Sequence, residues 1–139
     1  AVVRANDGRL PPTAITSLVY ERQGIDSIRQ VIGFAHDKTT NKKDIAALAP
    51  LLSEACAIGD AAAMAIVRKS AAALRELVAP VAEKLNLQGG NLALAGSVLL
   101  RNDEVRAELL GLLNRDFPDM IVYPAKKEAS WGAVLMAMS

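Results

Sequence analysis

The chain has one cysteine, Cys56, and one histidine, His36, in 139 residues. A lone cysteine excludes an internal disulfide, and with a single histidine a Cys/His zinc site cannot be assembled; no metal site is expected. The chain also lacks an excess of charge of either sign. Its 16 basic and 15 acidic side chains are interspersed, so there is no cationic stripe to neutralise a row of phosphates, and nucleic acid is not expected as a partner. No apolar run reaches the ~18 residues of a membrane span, which reads as a soluble chain with no membrane partner; a reducing cytoplasm fits the cysteine usage. The opening residues "AVVRAND" have neither the basic start nor the cleavage pattern of a signal peptide. With Ala1 first, the sequence reads as a piece of a longer chain.

What is present is apolar and rich in alanine, with 52% hydrophobic residues in a single-domain length. Such a chain buries roughly two-thirds of its unfolded surface and forms one core. After an apolar and basic start the sequence breaks at Asp7-Gly8, and Pro12 suits the first turn of a helix that Gly24 ends. Ile25, Ile28, Val31 and Ile32 have helical spacing, followed by a polar loop that includes His36. Asp44 reads as the N-cap of a helix whose Ile45, Leu48, Leu52 and Ala55 share one face, and Pro50 should kink or restart it. Gly59-Asp60 is a stop and a new cap. The long helix that follows carries Met64, Val67, Ala71, Leu74, Val78, Val81 and Leu85 at three- and four-residue steps, with Pro80 inside it.

Beyond Gln88-Gly89-Gly90 the pattern changes. "LALAG" is a continuous apolar run bounded by glycines, as expected of a strand covered on both faces, at about residues 91–96. Asn102 caps the next helix, with Asp103 and Glu104 in its first turn. "MIVYP" is a second strand, at about 119–123, ended by Pro124, and "SWGAVLMAM" a last helix capped by Ser130, with Trp131 a packing residue. Strand, helix, strand, helix implies a parallel pair joined by a right-handed crossover. Two strands are too few for a sheet, so the first forty residues or additional upstream chain must supply others.

Ligands of open α/β sheets sit beyond the carboxyl ends of the strands, where glycine lets a backbone approach closely. Gly96-Ser97 holds that position. The same residues serve equally as a structural turn. Asp7-Gly8-Arg9 reads either as a phosphate or magnesium contact or as a turn, His36 as solvated, and Cys56 as a small buried residue on the Leu52 face.

In order and spacing, "RANDGRLPPTAI", "DIAALAPLLSEACAIGDAAAMAIV", "LALAGSVLLRN" and "ASWGAVLMA" resemble the C-terminal half of the BadF/BadG/BcrA/BcrD-type ATPases, which include N-acetylglucosamine kinases. The resemblance covers nearly all of residues 1–139. It implies an α/β fold like the ribonuclease-H-like C-terminal domain of actin, heat-shock ATPases and hexokinase, helix-rich with a short parallel strand pair and without the N-terminal ATPase domain. It further implies that Gly96, Ser97 and Val98 lie near the ribose and inner phosphates of ATP, bound with Mg²⁺, and that the segment from Gly132 packs at an interdomain hinge. Many relatives have two glycines where this chain has Gly96-Ser97; if the second position needs positive φ, serine is a costly choice there.

The parent enzyme implied transfers phosphate from ATP to N-acetylglucosamine or a related amino sugar. The glycine-rich phosphate loop, the general base and the metal-positioning acid of such kinases are not found here, so no catalytic residue is assigned and the piece alone is expected to be inactive. One alternative is an activator of 2-hydroxyacyl-CoA dehydratases; those hold an iron–sulfur cluster with cysteines, against which the solitary Cys56 argues. The other is a non-catalytic homodimerisation module, with Gly96-Ser97 a tight turn and the alanine-rich helices the dimer face.

Overall fold

The computed structural model describes residues 1–125 and 136–137. The chain divides into two compact units, Ala1–Val67 and Arg68–Ser139, rather than the single core that its length suggests. The readings of Ser130, Trp131 and Gly132 fall outside the described residues.

The first unit is helical throughout: α1 (Val2–Asn6), α2 (Ala14–Gln23), α3 (Ile28–His36), α4 (Lys42–Ala46), α5 (Pro50–Ala57) and the start of α6 (Ala61–Lys84). The first forty residues therefore supply no strand. Thr13, extended at φ −133°, caps α2 by accepting the Ile15 N–H at 3.2 Å; Pro12 precedes the cap instead of lying in the first turn. Gly24 ends α2 with left-handed backbone, φ +61°. His36 is the exposed last residue of α3, one position ahead of the loop in which it was expected.

Asp44 is not an N-cap. Asn41 is, accepting the N–H groups of Lys43 and Asp44, while the Asp44 carboxylate returns to the Asn41 N–H at 2.8 Å. This reciprocal box needs an amide or hydroxyl at the cap and an acid three residues on, which "NKKD" supplies. Pro50 restarts the chain as the first residue of α5, where its missing N–H leaves no partner wanting. On that helix Leu51 and Ala55 are buried, whereas Ile45 is 51% exposed and Cys56 only partly covered. The restart explains the change of face, because the turn from Ala47 to Ala49 breaks the register that a single helix through Ile45 would have kept. Val19 of α2 and Ala63 and Val67 of α6 are the other buried apolar side chains of this unit.

In the second unit α6 continues, uninterrupted by Pro80, and ends in a Schellman turn. Asn86 adopts φ +53°, the Leu87 N–H reaches the Ala82 carbonyl at 2.8 Å, and the Asn86 N–H reaches Glu83. Then come β1 (Asn91–Leu94), α7 (Ser97–Arg101), α8 (Asp103–Asp116) and β2 (Ile121–Pro124). The core joins Ala71, Ala79 and Ala82 of α6, Leu94 of β1, Leu109 and Leu113 of α8, and Phe117. At about 1.5–3 kcal/mol for each large apolar side chain buried, Leu94, Leu109, Leu113 and Phe117 are its main contributors. The fully covered positions of α6 on this core are alanines, with Leu74 and Val78, expected on that face, packed half-buried beside them. Val81 and Leu85, expected there too, are 53% and 62% exposed.

The strands pair in parallel with Asn91 opposite Ile121 and Leu94 opposite Pro124. Each is displaced slightly from its expected bounds. β1 stops at Leu94 because Gly96 turns the chain, and β2 starts at Ile121 because Met120 closes a turn on the Phe117 carbonyl at 3.0 Å. The expectation of cover on both faces is corrected too. Leu92, Leu94 and Val122 pack on the core, while Asn91, Ala93, Ile121 and Tyr123 are exposed, the alternation of a sheet that, among the described residues, is packed on one face. The observed class is helix-rich α/β with a short parallel two-stranded sheet. No single described helix is long and apolar enough to cross a membrane.

Candidate functional site

β1 delivers its carboxyl end to a turn that only one residue type accepts easily. Gly96 has φ +94° and ψ 150°, a region that is essentially closed to side chains because Cβ collides with its own backbone. A Cβ built there meets no other heavy atom within 4 Å, so the demand for glycine is conformational and the space above it is open. Ser97 then begins α7. Among the described residues Asn86 alone of the non-glycines has positive φ, so Ser97 bears no such strain, and the second position of the turn does not need glycine here.

Two anchors hold the turn. On the strand side Leu94 is buried, and its carbonyl accepts the Ala125 N–H at 2.8 Å. On the helix side Leu99 packs against the core, and the Leu100 N–H closes on the Gly96 carbonyl at 3.1 Å. Between the anchors Gly96 and Ser97 are exposed and Val98 is 56% exposed. The three residues singled out from the sequence are thus contiguous on one open surface at the carboxyl end of a parallel strand. That surface offers a close-approach backbone, a hydroxyl and an apolar side chain. Among the described residues no three His, Cys, Asp or Glu side chains gather.

The other candidate, Asp7-Gly8-Arg9, lies in the first unit. Asp7 is engaged by Arg9, whose Nε donates to it at 2.8 Å and whose backbone N–H closes on it at 3.3 Å. That pairing draws the Asp7 carboxyl below its ordinary range, and it makes the segment a self-contained turn. The helix after the site is built as expected: Asn102 caps α8 by accepting the Val105 N–H at 2.9 Å, with Asp103 and Glu104 in the first turn. The sequence did not foretell that a separate one-and-a-half-turn helix, α7, would stand between Gly96 and that cap.

Sequence reading also missed a polar junction in the first unit. Asp60 caps α6 through the Ala63 N–H at 2.8 Å, and its other oxygen accepts the Ala14 N–H at 2.7 Å while the Thr13 hydroxyl donates at 2.9 Å. One carboxylate therefore caps two helices. Burial works against its charge, but the N–H groups of Ala63 and Ala14, the Thr13 hydroxyl and the Ala62 N–H outweigh it and lower the Asp60 pKa. The cap on α6 was legible from "GD"; the partner 46 residues away was not. In the same unit, a groove of about 240 Å³ is lined by Leu18, Glu21, Arg22, Leu51 and Glu54, two of which, Arg22 and Glu54, form an ion pair at 2.8 Å.

A helix-rich α/β unit with an open glycine turn at the carboxyl end of a parallel strand defines a class in which that turn is the natural ligand position. Comparison with known proteins narrows the class. Along all of its length the chain is 26% identical to an N-acetylmuramic acid/N-acetylglucosamine kinase of Clostridium acetobutylicum, of which it covers 46%. Along 99% of its length it is 27% identical to an N-acetyl-D-glucosamine kinase of Dictyostelium discoideum, of which it covers 44%. The chain spans less than half the length of these curated relatives, and it is similar to part of a sugar kinase. No protein-family profile matches it, and no solved structure matches it at a significant level.

Proposed function

We propose that this chain is the nucleotide-side part of an ATP-dependent kinase that phosphorylates N-acetylglucosamine or a related amino sugar. The observation that carries the reading is similarity over 99 to 100% of the chain to two proteins named as kinases of such sugars. Both are named as kinases and neither as an activator, which favours phosphoryl transfer over the activator alternative.

Within this reading ATP, with Mg²⁺, supplies the transferable phosphoryl group. Gly96 keeps the backbone bare, so that the ribose and inner phosphates come within contact distance; an alanine or valine would raise a methyl into that space. Ser97 presents a hydroxyl that can donate to or accept from the nucleotide, and Val98 gives apolar contact. No general base and no metal ligand is assigned to this chain. Those roles, and the pocket that reads the sugar, belong to polypeptide beyond these residues.

Thermal unfolding with and without Mg-ATP and Mg-ADP, with Mg-GTP as control, tests the nucleotide part of the proposal. A ligand that binds only the folded form stabilises it by ~2.7 kcal/mol at a hundredfold excess over its dissociation constant. The expected result is an adenine-selective rise in melting temperature that Gly96→Val abolishes. Melting unchanged from the nucleotide-free protein in all three nucleotides sinks nucleotide binding by this chain and leaves the turn as scaffold.

A further inference from the structure

We infer that Arg106 is a positioning residue for the Gly96–Val98 turn, a role whose bearing on nucleotide rests on the function proposed above. α7 has five residues, too few for a helix to persist on its own, and Gly96 has no side chain with which to cap it. Something outside α7 must hold it in place. Leu99 does so from the core side. From the other side Arg106, one turn into α8, donates through Nη1 to the carbonyl oxygens of Leu99 at 3.1 Å and Leu100 at 3.4 Å. These are C-terminal carbonyls of a helix, which have no intrahelical donor, and a guanidinium is well placed there because its charge opposes the partial negative charge of the helix end. The fork is itself oriented: Nη2 donates to the Asp103 carboxylate at 2.6 Å, and the Arg106 backbone N–H donates to the Asn102 carbonyl at 3.2 Å.

The consequence runs back along α7. The Leu100 N–H is bonded to the Gly96 carbonyl and the Asn102 N–H to the Val98 carbonyl, so fixing the C-terminal carbonyls fixes the turn at the other end. Lysine cannot replace this geometry, because an ammonium lacks the planar fork that reaches two carbonyls and a carboxylate together.

The test is amide hydrogen exchange on the 139-residue chain, comparing wild type with Arg106→Met and Arg106→Lys. Loss of hydrogen bonds from a charged donor is expected to speed exchange at Leu100 and Asn102 by about tenfold or more in Arg106→Met, and less in Arg106→Lys, relative to any change at Leu109 and Leu113. Unchanged α7 exchange, or acceleration equal to that of the core amides, overturns the inference. Titration with Mg-ATP in parallel separates the two claims. If wild type binds, Arg106→Met is expected to weaken binding by more than its loss of global stability predicts. Equal affinity in wild type and Arg106→Met overturns the positioning role. If wild type does not bind, the nucleotide reading fails while exchange still decides the role of Arg106.

Discussion

At Gly96 a single backbone angle decides what the chain tolerates. A side chain at φ +94° and ψ 150° is strained even with open space around it, so Gly96→Val should cost about 1–3 kcal/mol in urea unfolding; a change under a few tenths would mean the turn relaxes freely. Asp60 is the second decisive residue. Asp60→Asn should lower stability at neutral pH by about 1–2 kcal/mol, through weaker capping of two helices. The same residue makes stability depend on acid. Its folded pKa is depressed below the ordinary 3.8, so its contribution is complete above that pH and is lost as pH falls through the folded value. Unfolding free energy measured between pH 5 and pH 2 should therefore fall less steeply in Asp60→Asn, by at most about one proton's worth, ~1.4 kcal/mol per pH unit. Parallel curves would show that Asp60 is not the acid-sensitive cap.

At the scale of elements, α6 separates periodicity from burial. Its apolar spacing placed Val67, Ala71, Leu74 and Val78 on the packed face, where they lie, but also Val81 and Leu85, which are 53% and 62% exposed; Ala71 is fully buried and Leu77 is 70% exposed. A close-packed alanine contact has no room for larger groups, so Ala71→Leu should cost about 1–3 kcal/mol by overpacking, whereas Leu77→Ala should change stability by less than ~0.5 kcal/mol. Chemical denaturation of the two variants checks the pair, and the reverse order would contradict the helix orientation. The strands make the same point. Leu94 faces the core and Ile121 is 61% exposed, so Leu94→Ala should cost ~2–5 kcal/mol while Ile121→Ser should be nearly neutral.

For the whole chain, charge balance and the exposed sheet side chains among the described residues bear on association together. The net charge is +1 at pH 7 and the isoelectric point about 8.1, so little self-repulsion opposes association through Ala93, Ile121 and Tyr123. Turbidity of concentrated protein should peak near pH 8 and fall toward pH 5; a flat profile would show that charge balance does not govern association.

The local chemistry of a dozen residues determined much of this protein. Gly24, Gly59, Pro50 and Asn102 set ends and starts of helices because φ restrictions, missing N–H groups and side-chain acceptors act within a few residues. The two strands and their parallel pairing followed from apolar runs on either side of a helical segment. The Gly96–Val98 turn was legible for the same reason, since a glycine at a strand's end is a local signal. Tertiary structure alone decided that Val81 and Leu85 leave the packed face of α6, that Asp60 caps α2 as well as α6, and that Arg106 donates to the end of α7. Those outcomes depend on which side chains meet across many residues of chain, and spacing along a helix fixes that a face exists without fixing what packs against it.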